Sequence, residues 1–142
     1  MNLLTALYKP YIILSIKVKE GGCDMQNNYK KYDVVMVDFG KDVIGSEQGN
    51  IRPACIIQND FGNTYSSCTI VLPFTSKHKN LNQPTHSLFK KGKDKGLTED
   101  SMLLGECVKQ ISEKRIIKYL GSITDTKEQS EIKRVYLANF GE

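Results

Sequence analysis

At 142 residues, with hydrophobic side chains at 39% and charged ones at 25%, the chain has the composition of one globular domain, which argues against a disordered tail or low-complexity filament. Its net charge of +4 is mildly basic, compatible with a polyanionic partner but too small to identify one. A chain of this size buries roughly 70% of its unfolded surface, enough for a real core.

The N-terminal stretch, Met1 to Asp24, is read apart from the rest. Its longest uncharged apolar run, Tyr11 to Ile16, is far short of the roughly 20 residues of a membrane span. Neither an early basic region nor a small-residue cleavage site marks it as a signal peptide. Gly21-Gly22-Cys23 faintly evokes a lipoprotein site, but Lys17, Lys19 and Glu20 occupy the run that must be apolar there. Lys19-Glu20-Gly21 can be encoded by a purine-rich ribosome-binding site, and Met25 follows at a suitable distance. Residues 1–24 are therefore expected to be an extension read from upstream sequence, with Met25 the true start and 25–142 the domain. A peptide spanning Lys19 to Met25, found in protein made from its own promoter, would sink that idea.

The first strand is expected over Tyr32 to Phe39, apolar on both faces as in a barrel wall. A loop with Gly45, Ser46, Glu47, Gln48 and Gly49 follows, and Arg52 to Gln58 is the second strand, with Pro53 at its beginning or at an edge. Asn59 to Asn63 reads as a turn. The third strand runs from Cys68 to Phe74, with Pro73 at a bulge or edge and Thr75 re-aimed outward. After a polar segment with Lys77, His78 and Lys79, Thr85 to Phe89 is a short fourth strand. Lys90, Lys91, Lys93 and Lys95 crowd a loop that is either a solvated hairpin, the preferred reading, or a phosphate-tracking patch. Strands are expected on either side of Gly105, over Asp100 to Leu104 and Glu106 to Ile111. Ser112 is placed as the cap of a short helix, Glu113 to Leu120, stopped by Gly121. A last helix opens at Thr124 or Asp125, with Glu128 completing a capping box and Ile132, Val135, Tyr136 and Asn139 on its packing face. Short strands followed by helices predict an α+β domain: a small, mainly antiparallel barrel with a covering helix.

Cys23, Cys55, Cys68 and Cys107 include no C-x-x-C pair, and His78 and His86 have no metal-ligand spacing. No metal or cofactor is expected. Cys55 and Cys68 lie in apolar runs, as packing thiols do, and are expected reduced in a cytoplasm.

The loop after the first strand is the chemically informative stretch. Gly45 and Gly49 let the backbone curl and a ligand come close. Arg52 stands at the start of a strand, so its planar, permanently charged fork is held on scaffold and suits a phosphate. The ordered set G-S-E-Q-G-N-I-R-P (Gly45 to Pro53), I-V-L-P-F-T (Ile70 to Thr75), P-T-H (Pro84 to His86) and D-S-M-L-L-G-E (Asp100 to Glu106) resembles the MazF/PemK (Kid) toxins of bacterial toxin–antitoxin modules, from about Lys30 onward. That family is one of SH3-like barrels that form homodimers and cleave single-stranded RNA. The resemblance implies Arg52 and Thr75 as catalytic residues and Ser46, Glu47, Gln48, Pro84, Thr85 and His86 as RNA contacts. It also implies an antitoxin whose acidic tail blocks the groove.

Two departures stand out. Tyr32 replaces the family's usual glycine, and Cys107 replaces a glutamine found in some relatives. The alternatives are a gyrase-poisoning toxin of the related CcdB type and a catalytically silent binding module. Neither requires the Arg52 and Thr75 pair. A redox role for Cys107 lacks a neighbouring base or second cysteine.

Overall fold

The computed structural model describes residues 28–141; the expectation for residues 1–24 lies outside them. Seven strands form one antiparallel sheet: β1 (Asp33–Asp38), β2 (Ile51–Ile56), β3 (Cys68–Thr75), β4 (His86–Phe89), β5 (Ser101–Leu104), β6 (Lys109–Ser112) and β7 (Ile116–Ser122). A short helix α1 (Asp60–Tyr65) follows β2, and α2 (Thr126–Leu137) ends the domain. Pairing runs β4-β5-β3-β2-β1-β7, with β6 also on β3.

The doubly apolar pattern of β1 has a direct cause. Val34 faces a cluster with Cys55, Leu72 and Phe74 that α2 covers through Ile132 and Val135. Val35 and Val37 face the opposite way, among Ala54, Ile56 and Val71, where Ile111 and Ile116 join them. Those last two come from β6 and β7, which are separated only by a 3-10 turn, Glu113–Arg115. The sheet curls until its two ends share one core, giving the expected barrel with a C-terminal helix. Phe74 and Phe89 meet edge to face, ring centres 5.6 Å apart, a contact worth about 1 kcal/mol beyond its buried area.

The prolines are where the ladders permit them. Pro73 pairs with Ala54 on one side. On its other side β3 changes partner, from β6 at Val71 to β5 at Phe74. The missing N–H therefore falls in the gap between two neighbours. Pro53 pairs with Met36 one residue before β2 takes up β3 at Ala54.

Several local expectations are corrected. Asn59 to Asn63 is no simple turn: Asn59 caps α1 by accepting from the Gly62 N–H at 2.9 Å, and buried Asn63 ties the helix to Thr69 at 2.7 Å. The helix expected over Glu113 to Leu120 is instead a 3-10 turn and β7. Ser112 does cap, but only that turn, through the Lys114 N–H. Its continuation, I-I-K-Y-L, is β-branched and aromatic, and the otherwise free edge of β1 takes it as a partner, from Val37–Ile116 to Asp33–Ser122. Glu106 lies in a 3-10 turn, Gly105–Cys107, before β6 begins at Lys109. Cys55 is buried but Cys68 only partly so. On α2, Asp125 is the cap, accepting from Lys127 and Glu128 N–H at 2.9 Å each. Tyr136 is 41% exposed and outside the packing stripe.

Glu128 turns its carboxylate to Lys95. This lysine, one of the crowded run, is thus buried and committed to α2, while Lys90 pairs with Asp100 at 3.1 Å. The run is two structural ties and two solvated charges, which weakens its reading as a phosphate track. Lys95→Ala strands the Glu128 carboxylate and is expected to cost about 2 kcal/mol, below the roughly 3–5 of a fully buried pair. Lys93→Ala, on an exposed neighbour, should stay within about 0.5 kcal/mol. Urea denaturation of both variants compares the two directly.

Among the described residues, no helix is long and apolar enough to cross a membrane.

Candidate active site

The β1–β2 loop is closed at its base by two backbone bonds, Phe39 N–H to Asn50 O at 2.9 Å and Asn50 N–H to Gly40 O at 2.7 Å. Asn50 takes the left-handed backbone conformation, φ 61°, which asparagine tolerates better than most side chains. Gly45 is also left-handed, φ 60°, at the loop tip. Glu47 accepts from the Ile44 N–H at 3.1 Å, so its carboxylate pins the loop.

Arg52 is held from this loop. Its Nε donates to Gly49 O at 2.8 Å and one terminal nitrogen donates to Gln48 Oε1 at 2.6 Å. Gln48 in turn donates to Ser46 O at 3.3 Å. Two of the five guanidinium N–H groups are thereby spent on aim, which leaves three for other partners. Because Gln48 was expected only as an RNA contact, its hold on Arg52 is new information. Gln48→Ala is expected to lower turnover about tenfold, the scale of one lost charge-assisted bond, while Gln48→Glu, which can keep the acceptor, should lose less; single-turnover kinetics would show it.

Thr75 ends β3, opposite Met102 of β5. It is 7% exposed, and its hydroxyl accepts from the Lys77 N–H at 3.2 Å. Arg52 and Thr75, from different strands, line one groove of about 560 Å³ together with Ser46, Glu47 and Gln48. Lys77, Lys79 and Glu99 also line it. Sequence reasoning did not select these three for the site. The signal for the lysines was their position just after Thr75; Glu99 had none. A smaller depression of about 380 Å³ lies against the same loop, lined by Ser46, Glu47 and Gln48 with Phe39, Pro73, Glu106, Cys107 and Lys109.

Pro84, Thr85 and His86 do not line the main groove. Pro84 O accepts from Arg134 of α2 at 2.9 Å, and Thr85 O accepts from the Gly105 N–H at 2.7 Å. The His86 ring is buried, its Nδ1 2.7 Å from Asn80 O and its Nε2 2.7 Å from Glu106 Oε1. Burial works most strongly, to raise the Glu106 carboxyl, but the hydrogen bonds it accepts, that from His86 foremost, together outweigh burial and hold the group below its ordinary value. Burial first, then the Glu106 charge, pushes the Cys107 thiol up, away from the thiolate that redox chemistry needs.

A small curled antiparallel sheet, a covering helix and an arginine–threonine groove beside a glycine-bearing loop define a small barrel whose groove has the side chains to take a phosphate-bearing ligand. The family described as PemK-like, MazF-like toxin of type II toxin–antitoxin system matches residues 30–136, and the chain belongs to that family. It is 40% identical over 98 residues to the Endoribonuclease MazF of Staphylococcus saprophyticus, covering 69% of this chain and 80% of that one. Crystalline MazF from Deinococcus radiodurans superposes with a TM-score of 0.66 at 17% identity, covering 80% and 97% of the two chains. A mycobacterial endoribonuclease in complex with its cognate antitoxin gives 0.64 at 14%, covering 80% and 95%.

Proposed function

We propose that the chain is the toxin of a type II toxin–antitoxin module and a sequence-specific endoribonuclease of single-stranded RNA. The observation that carries this reading is Arg52, fastened by Gly49 and Gln48 in one groove with Thr75. The nucleophile is the substrate's own 2′-oxygen. It loses its proton and bonds to the adjacent phosphorus as the bond to the 5′-oxygen breaks; the departing oxygen takes up a proton. A cyclic phosphate and a 5′-hydroxyl result, with no metal required. Arg52 stabilises the charge that builds on the phosphorane oxygens, and the Thr75 hydroxyl donates to one of them and fixes the geometry. Lys77 and Lys79 draw in the flanking phosphates. Ser46 and Gln48 stand where unstacked bases are read on their edges.

The relative's activity, its 40% identity and the antitoxin complex of the mycobacterial structural neighbour support the same assignment. The partners are RNA, an acidic antitoxin segment laid across the basic groove and a second copy of the chain in a homodimer, all in the cytoplasm. The dimer fits an exposed apolar set, Val108, Tyr136 and Phe140, along a groove of about 510 Å³, the kind of surface that partners cover.

The test is to incubate the protein with long single-stranded RNA, with and without chelator, and map the 5′ ends. Discrete cuts that survive the chelator and leave 5′-hydroxyls are expected. No cuts from folded protein, or a stabilised gyrase–DNA break instead, overturns the reading.

A further inference from the structure

One buried titratable group in the described domain, His86, is not used by the chemistry above. Both ring nitrogens of His86 face acceptors: Asn80 O at 2.7 Å and Glu106 Oε1 at 2.7 Å. A neutral imidazole has one N–H and can serve only one of them. Serving both takes one more proton, shared between the ring and the Glu106 carboxyl. The His86 side chain is 3% exposed, so its polar atoms are cut off from water and held by these two partners.

Each partner belongs to a different wall of the groove system. Asn80 directly follows Lys79, and it organises the segment between β3 and β4: its carbonyl also takes the Gln83 N–H at 3.3 Å and its side chain the Asn82 N–H at 3.0 Å. That segment supplies Lys77 and Lys79 to the groove with Arg52 and Thr75. Glu106 lies in the 3-10 turn and lines the second depression, against Ser46, Glu47 and Gln48. The other charged groups packed near His86 are on α2. Arg134 donates to the His86 carbonyl at 3.3 Å, serving the backbone and not the ring, and is itself paired with Glu131 at 2.8 Å.

We propose that His86 is a positioning residue that clamps the lysine-bearing segment to the 3-10 turn and so holds Lys77 and Lys79 where RNA phosphates pass. The role builds on the nuclease reading but not on His86 touching RNA. Without the ring, Asn80 O and Glu106 lose the group that joins them, and the lysines lose their fixed place. Substrate affinity then falls, while the step at phosphorus, carried by Arg52 and Thr75, is kept.

Two measurements on the full chain test this. The first needs no RNA: histidine-selective nitrogen NMR is expected to show both ring nitrogens of His86 in hydrogen bonds, and a ring nitrogen without one overturns the proposal. The second uses a fluorogenic RNA carrying the mapped cleavage site. In His86→Gln, KM is expected to rise about tenfold with kcat changing less than about twofold. Glu106→Ala removes one end of the clamp, leaves His86 in place and should raise KM in the same way; this variant also serves if His86→Gln does not fold. An unchanged KM, or a loss in kcat with KM unchanged, rejects the clamp. If the wild type cuts no RNA, the nuclease reading fails, and the NMR spectrum still decides whether the ring holds both partners.

Discussion

Arg52→Ala is expected to lower the rate of RNA cleavage by about 10²–10³, the usual cost of one preorganised donor to a developing oxyanion, and to abolish growth inhibition on induction. The loss should fall in kcat, because Lys77 and Lys79 still hold the flanking phosphates while the phosphorane loses its charge partner. Arg52→Lys should rescue little. An ammonium carries the charge, but it lacks the planar fork whose Nε reaches Gly49 O and whose terminal nitrogen reaches Gln48, so it cannot be aimed in the same way. Folding should survive in both variants, since Arg52 is only partly buried and its bonds are confined to its own loop. Cleavage rates beside thermal melts of the same preparations check this. A variant that keeps cutting at the same sites would place the chemistry elsewhere or expose a contaminating nuclease.

The largest expected effect on stability lies outside the groove lining, at Gly121. This glycine is in β7, paired with Val34 of β1, and the turn carrying Lys95 passes directly over it. A Cβ built there would stand 2.3 Å from Asp94 O and 2.6 Å from the Lys95 carbonyl carbon. Both obstacles are backbone, and neither can rotate away. The Ser122 N–H also donates to Asp94 O at 3.0 Å, so retreat of the turn sacrifices a sheet-to-turn bond. Gly121→Val is expected to cost about 3 kcal/mol, the upper part of the overpacking range. For a domain of this size that is a fall in Tm of about 10 °C. Because the same turn positions Lys95 for Glu128, the variant should also loosen α2. Hydrogen exchange at the amides of Ile132 and Val135 would then speed up together with those of β7, whereas protection lost only in β7 would mean that the turn moves without carrying the helix along.

Much of this was legible in the chain. Six of the seven strands were located, the seventh being the segment expected as a helix. The two strand prolines, Pro53 and Pro73, stand beside partner changes, as their missing N–H requires. The strongly apolar β1 was recognisable because a barrel wall is wet on neither face, and Asp125 was one of the two expected openings of the last helix because its carboxylate meets orphan N–H groups wherever a helix begins. The substitution of Tyr32 for the family's usual glycine was visible, and the structure supplies its meaning. Tyr32 has φ 73°, in the left-handed region where a glycine is at ease and a tyrosine is strained. Bonds from Tyr32 N–H to Ile56 O at 2.8 Å and from Ile123 N–H to Tyr32 O at 2.9 Å hold it there.

The errors have one common origin. Segments 59–63 and 113–120 are short, and their local signals, an Asn-Asp-Gly composition and a serine cap, are shared by turns, helices and strand ends. What decided them was a distant partner: the free edge of β1 recruited β7, and Thr69 drew Asn63 into a helix. Lys95 and Glu128 were read as a solvated charge and half of a capping box because sequence order cannot show that two residues 33 apart face each other across a buried contact.

By itself, then, the sequence marked an arginine at the head of a strand after a glycine-bearing loop as suited to a phosphate, and the family resemblance added a threonine at the end of another strand. These are properties of local order and side-chain type, and they survive in any fold that keeps the elements in that order. Only the tertiary structure decided which side chains point at the groove and which stand behind it. It assigned Gln48 to hold Arg52, Glu47 to pin its own loop and His86 to a buried place between Asn80 and Glu106. Those assignments depend on register and on the curl of the sheet, which bring groups distant in the chain within hydrogen-bonding distance, and a buried polar group must pair with whatever the fold has placed there.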